Sequence, residues 1–179
     1  MNSQSSNKTK RLFLALWPDE QVVRKINQHA IKYFSACRGR ILHKKNWHIT
    51  LAYFGASDSD TQTCIEEQAE KIKAQPFELS LSECGYWKKP AVAWLAPSSI
   101  PDALKQLAND VQQNLVPCGY EAEDRDYRPH ITLVRKAKRV PSTSEIQPIP
   151  WYVEKFCLVE SITSPEGANY QVLKSWDFL

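Results

Sequence analysis

Residues 46–55 read NWHITLAYFG and residues 128–136 read RPHITLVRK, so His48-Ile49-Thr50-Leu51 returns 82 positions later as His130-Ile131-Thr132-Leu133. Given one such tetrapeptide, a second by accident has odds on the order of one in a thousand at average composition. In a strand, alternate side chains share a face. His48 and Thr50 then point one way and Ile49 and Leu51 the other, and the second copy repeats the division. The apolar pair can anchor each strand in a core. The imidazole and hydroxyl are left to face solvent, a satisfied polar pocket or a shared cleft.

The flanking sequence reads as alternating sheet and helix. RLFLALW (11–17) has the length of a buried strand and ends at Pro18, which suits the first turn of a helix. Val22, Val23, Ile26, Ala30, Ile31 and Phe34 continue as a helical stripe through Ser35. After NWHITLAYFG, Ser57 or Asp58 can cap a second helix bearing Cys64, Ile65, Ala69 and Ile72. PFELSLSECGYW and AVAWLA read as a hairpin joined through KKP. Pro101-Asp102 opens a third helix with Leu104, Leu107, Ala108, Val111 and Leu115 at spacings of three and four. The second HITL strand and the strand-like stretches WYVEKFCLVES and NYQVLKSWDF follow. The order is β-α-β-α-β-β-α-β-β-β, an α+β protein with two sheet-and-helix lobes facing each other.

Composition bounds the partners. No apolar run reaches the roughly 18–20 residues of a bilayer span, and the polar start MNSQSSNKTK reads as a disordered tail over residues 1–10. The remainder, 11–179, reads as one bilobal domain. Five scattered cysteines (37, 64, 84, 118, 157) without a CxxC pair fit reduced thiols of a cytoplasmic protein. Net charge is +3, but residues 1–50 carry ten Lys/Arg against two acids, and residues 51–124 carry five against twelve. Both HITL copies lie in basic surroundings, which would suit a polyanion such as RNA and equally a plain solvated surface.

Two imidazoles and two hydroxyls in one cleft are short of metal ligands, and the chain has no HxH, HExxH or cysteine pair. What two histidines do well near neutral pH is proton transfer, one as base and one as acid. Threonine hydroxyls can donate to anionic oxygens as charge builds there. The set matches phosphodiester chemistry without metal or cofactor. His29, mid-helix, and His43, in a basic loop, take no part. Trp47, Tyr53, Tyr86, Trp87 and Tyr127 are candidates for stacking on a base, each against the plainer reading of a core residue. A different class of reading is an RNA-end binding module whose histidines only hold phosphate, although pure binding more naturally uses Arg and Lys.

HITLAYFG and HITLVR resemble the paired HxTx signatures of the two-histidine (2H) phosphoesterases, and within them the bacterial RNA 2',3'-cyclic phosphodiesterases, also called the 2'-5' RNA ligase family. The opening RLFLALWP, the spacing between motifs and the closing SPEGANYQVLKSW are similar as well, so the likeness covers residues 11–179. The resemblance implies a bilobal LigT-like fold, two antiparallel sheets lining a central cleft with helices packed outside. It implies hydrolysis of RNA 2',3'-cyclic phosphate ends, or of 2',3'-cyclic nucleotides, to a 2'-phosphate; nothing in the sequence marks an oligomer interface, so a monomer is the default expectation. His48 would be proton donor to the leaving 3'-oxygen, His130 proton acceptor from water, and Thr50 and Thr132 phosphate ligands. Arg135 matches the arginine after the family's second motif, yet in a regular strand it would fall on the Ile131 face, and only a bulge or strand end would re-aim it. Tyr53-Phe54 stands where the family usually has Phe-Leu, a departure that touches packing more than chemistry. Cleavage of 2'-5' linkages, or ligation, could use the same four residues.

Overall fold

The computed structural model describes residues 9–122, 124–165 and 167–179. Residues 1–8 of the expected tail lie outside that range, and strand β1 (Lys10–Leu16) already begins at Lys10. Its side chains divide strictly. Leu12, Leu14 and Leu16 enter the main core, while Phe13 and Ala15 form a smaller cluster with Cys157 and Val159 on the opposite face.

Helix α1 (Glu20–His29) starts after Pro18, because Asp19 is the cap and its carboxylate accepts from the Val22 amide at 2.8 Å. The apolar stripe continues beyond the helix as a 3-10 turn over Ile31–Cys37, which buries Phe34. Short strand β2 (Arg40–Ile41) and a 3-10 turn over Lys44–Asn46 lead into β3 (Ile49–Ser57). Asp58, of the two candidate caps, receives the Thr61 amide at 2.8 Å and opens α2 (Ser59–Ala69). The expected hairpin is β4 (Phe77–Trp87) and β5 (Val92–Pro97). Helix α3 (Asp102–Leu115) buries the five apolar residues its spacing singles out. Each such leucine contributes roughly 1.5–3 kcal/mol when fully withdrawn from water.

After α3 come β6 (Ile131–Arg135), β7 (Glu145–Val153), β8 (Lys155–Ser164) and β9 (Gly167–Asp177). WYVEKFCLVES is therefore not one strand. It joins the end of β7 to β8 through Glu154, where the chain leaves β4 for β1 and the buried alternation Trp151, Val153 gives way to the run Phe156–Val159. A change of strand partner without Gly or Pro leaves little trace in composition.

All the ladders are antiparallel, in the order β7-β4-β5-β6-β3-β1-β8-β9, with β2 paired to β6. The two expected sheets are thus two halves of one ladder. β3 and β6 meet at the single pair Ile49↔Ile131, and the Leu42 amide, following β2, bonds the Leu133 carbonyl further along at 2.8 Å. One hydrophobic cluster draws on both halves and on α1, α2 and α3.

The expectation of five reduced thiols is corrected. Cys64 of α2 and Cys118, just beyond α3, form a disulfide across 54 residues of sequence. Packing of α2 against α3 brings them together, a proximity that sequence spacing does not reveal. Cys37, Cys84 and Cys157 are free and buried.

Candidate active site

Both HITL strands carry the same local architecture. Ile49, Leu51, Ile131 and Leu133 are buried in the core, and the histidines and threonines sit half-buried on the other face. Continued one residue either way, the Ile49↔Ile131 register sets His48 opposite Thr132 and His130 opposite Thr50. The four side chains occupy one patch at the joint between the half-sheets.

Each imidazole is fixed by the same hydrogen bond. His48 Nδ1 lies 2.7 Å from the Asn46 carbonyl, and His130 Nδ1 lies 2.8 Å from the Arg128 carbonyl. A carbonyl only accepts, so Nδ1 carries the proton in both rings and Nε2 is left as the accepting nitrogen of the neutral ring. At His48, Nε2 is 3.2 Å from the Thr50 hydroxyl, which donates to it when the ring is neutral. The support reaches further, because the buried Asn46 donates from its side-chain amide to the Ala168 carbonyl of β9 at 2.7 Å.

The surroundings of the two rings differ. Trp17 stacks on His48 at 5.3 Å with an interplanar angle of 5°, and Phe13 and Tyr170 close in at 4.9 and 5.2 Å. Removal from water carries the His48 pKa down to about 4, against the opposing pull of the Asn46 carbonyl and with help from the His130 and Arg135 charges. His130 has the edge of Trp87 at 4.5 Å. Its pKa is also lowered, first by burial, with the Arg128 carbonyl opposing and Arg125 adding to it.

Trp87 in turn packs on Trp94, which lies across Gly85 so closely that a Cβ there would come within 2.1 Å of the indole. Only glycine leaves room for that ring beside the second motif.

Arg135 is re-aimed by a bulge. Thr132 pairs with Trp94 and Val134 with Ala93, so Leu133 is an extra residue in β6. Leu133 and Val134 both enter the core, and Arg135 returns to the face of His130 and Thr132. Its charge is felt at His48. The first motif bulges at the matching place: Leu14 pairs with Ala52 and Ala15 with Thr50, leaving Leu51 extra and both Leu51 and Ala52 buried. Tyr53 then takes the position that Arg135 takes in the second motif. It is 49% exposed, so the departure at Tyr53 is not a matter of packing.

Of the proposed stacking residues, Trp87 flanks His130 and Tyr53 lies on the site face. Trp47 is core, its indole donating to the Leu42 carbonyl. Tyr86 and Tyr127 pack against the core, with hydroxyls on the carbonyls of Ala137 and Thr50. The rings that do enclose His48 escape the sequence reading. Phe13 and Trp17 share the face of Arg11 and Ala15 in RLFLALW, a period-two signal within an apolar run. Tyr170 has no local signal, since its place depends on β9 pairing with β8.

Among the described residues, no three His, Cys, Asp or Glu side chains are grouped to hold a metal, and no described helix is long and apolar enough to cross a membrane.

Comparison with known proteins agrees with this geometry. The RNA 2',3'-cyclic phosphodiesterase of Escherichia coli K12 is 30% identical over 173 residues, covering 93% of this chain and 95% of that protein. Its namesake from Archaeoglobus fulgidus is 28% identical over 180 residues, covering 93% and 99%. Crystal structures of E. coli LigT, with 3'-AMP and with phosphate, superimpose with TM-scores of 0.88 and 0.84 at 28% and 27% identity. The first match covers 96% of this chain and 99% of LigT, and the second 96% and 98%. Residues 18–164 match the family described as the 2'-5' RNA ligase superfamily, and the chain belongs to that family.

Proposed function

We propose that this protein is an RNA 2',3'-cyclic phosphodiesterase that opens a 2',3'-cyclic phosphate end to a 2'-phosphate by acid–base catalysis between His48 and His130. The observation that carries the reading is the pair of imidazoles with matching Nδ1-to-carbonyl bonds, each leaving Nε2 to handle a proton on the same face. The curated relatives named for this activity support it.

In the proposed step, His130 Nε2 takes a proton from water as its oxygen attacks phosphorus. The bond from phosphorus to the 3'-oxygen breaks, and His48 Nε2 returns a proton to that oxygen. Thr50, Thr132 and Arg135 hold the non-bridging oxygens, where hydroxyl and guanidinium donors are worth most as charge accumulates.

The acid role needs His48 protonated, whereas in the free site burial keeps it neutral at pH 7. A phosphodiester anion seated between the threonines raises the pKa of both rings by direct attraction. The proposed roles therefore require the bound anion to raise His48 more than His130.

The test is turnover, in EDTA, of an RNA ending in a 2',3'-cyclic phosphate, with identification of the product isomer. A 2'-phosphate product is expected. A 3'-phosphate would reverse the direction of ring opening, and tight RNA binding without turnover would leave a binding module instead.

A further inference from the structure

Tyr53 and Arg135 occupy equivalent places in the two motifs, but one is a phenol and the other a cation. The phenol is not alone. Arg11 sits two residues before Phe13 on the site face of β1, and its Nε and Nη2 both donate to the Tyr53 hydroxyl, at 3.2 and 2.6 Å. Each half of the site thus ends in a guanidinium, delivered directly in one half and through a tyrosine in the other.

The chemistry of the anchor is the point. A carboxylate would fix this guanidinium and cancel its charge, whereas a neutral hydroxyl fixes it and leaves the charge to act outward. The nearest acid along the neighbouring strand, Glu160, is engaged by Lys10 at 3.7 Å. Directly across from Arg11 stand Ala56 and Ser161, both uncharged. Arg11 is exposed, and among the described residues Nη1 has no hydrogen-bond partner. Two residues along a strand, about 7 Å, separate it from Phe13, which touches His48. That is close to one phosphate-to-phosphate step of an extended single strand.

Building on the hydrolase reading above, we propose that Arg11, held by Tyr53, forms a second anion subsite that takes the phosphodiester on the 5' side of the terminal nucleotide. The subsite gives the enzyme a preference for RNA chains over free cyclic nucleotides. Tyr53 acts through Arg11 as a positioning residue.

The experiment compares kcat/KM for a dinucleotide ending in a 2',3'-cyclic phosphate with that for the matching nucleoside 2',3'-cyclic phosphate. Arg11→Gln should lower the ratio of the two on the order of tenfold, mainly through KM for the dinucleotide. Tyr53→Phe, which keeps the ring and removes the anchor, should lower it severalfold. A ratio unchanged in both variants overturns the subsite. Binding of a short RNA with a 3'-phosphate end is measured in parallel across salt concentrations. Loss of one phosphate contact should reduce the slope of log K against log salt by about 0.7 in Arg11→Gln, and an unchanged slope also overturns it. If the wild type turns over neither substrate, the hydrolase reading fails, and the salt slope alone decides the subsite.

Discussion

The two HITL segments have the same four letters, the same bulge after threonine and the same carbonyl on Nδ1. Their histidines nevertheless differ in proton affinity. Three aromatic rings surround His48 and bring its pKa to about 4, whereas the edge of Trp87 meets His130. A repeated motif supplies a matched pair of tools, and their surroundings make the pair unequal. In the free site this inequality favours the proton on His130, so the proposed roles, with His48 as acid, require bound phosphate to reverse it.

The hardest test of this comparison is removal of either ring. His48→Ala and His130→Ala should each lower kcat about 10³-fold, and the double variant should lose little more, because the two act as a unit. Retention of more than a tenth of wild-type kcat by either single variant would break the division of labour.

Next in size are the hydroxyls. Thr50→Val and Thr132→Val should each cost about 10² in kcat if both hold the transferring phosphate. Thr50→Val should in addition move the pH profile, because its hydroxyl bonds His48 Nε2. Identical profiles in the two variants would argue that this bond is incidental.

The dependence on pH sharpens the comparison further. Burial lowers the pKa of both free-enzyme imidazoles from 6.5, and the proposed mechanism makes kcat/KM require one protonated and one neutral. The bell should therefore be centred on the acid side of 6.5 and fall about tenfold per unit at higher pH, as the remaining acid form is lost. The alkaline limb of kcat should lie at higher pH, since bound phosphate raises both values. A kcat/KM optimum above 7 would contradict the burial argument.

The smallest effect is expected from thinning the aromatic wall. Trp17→Leu admits water to His48 and should raise its pKa by about one unit in an NMR titration, with little change at His130. Trp87→Leu should do the reverse, and by less.

Much of this was legible in the sequence. The HITL pair, its alternating faces and the apolar stripes of α1, α2 and α3 follow from periods of 2 and 3.6 that single residues display. Three features were not legible, for one reason: each depends on partners distant in the chain. The bulge at Leu133, which turns Arg135 toward the histidines, is a mismatch of register with β5. The Cys64–Cys118 bond depends on how α2 meets α3. The enclosure of His48 by Tyr170 requires β9 to lie beside β8. The same holds for the break at Glu154, where the chain leaves β4 for β1.

The joint at Ile49↔Ile131 has a mechanical meaning. Within each half, neighbouring strands share ladders of several residues, whereas β3 and β6 share one rung. The sheet bends most cheaply there, and the two imidazoles stand on either side of the fold line. Flexing one half against the other would change the gap between the two imidazoles, and the hydrophobic cluster common to both halves opposes it. In the proposed mechanism the reacting distance spans this joint, and a substrate that touches both motifs is the strut that fixes it.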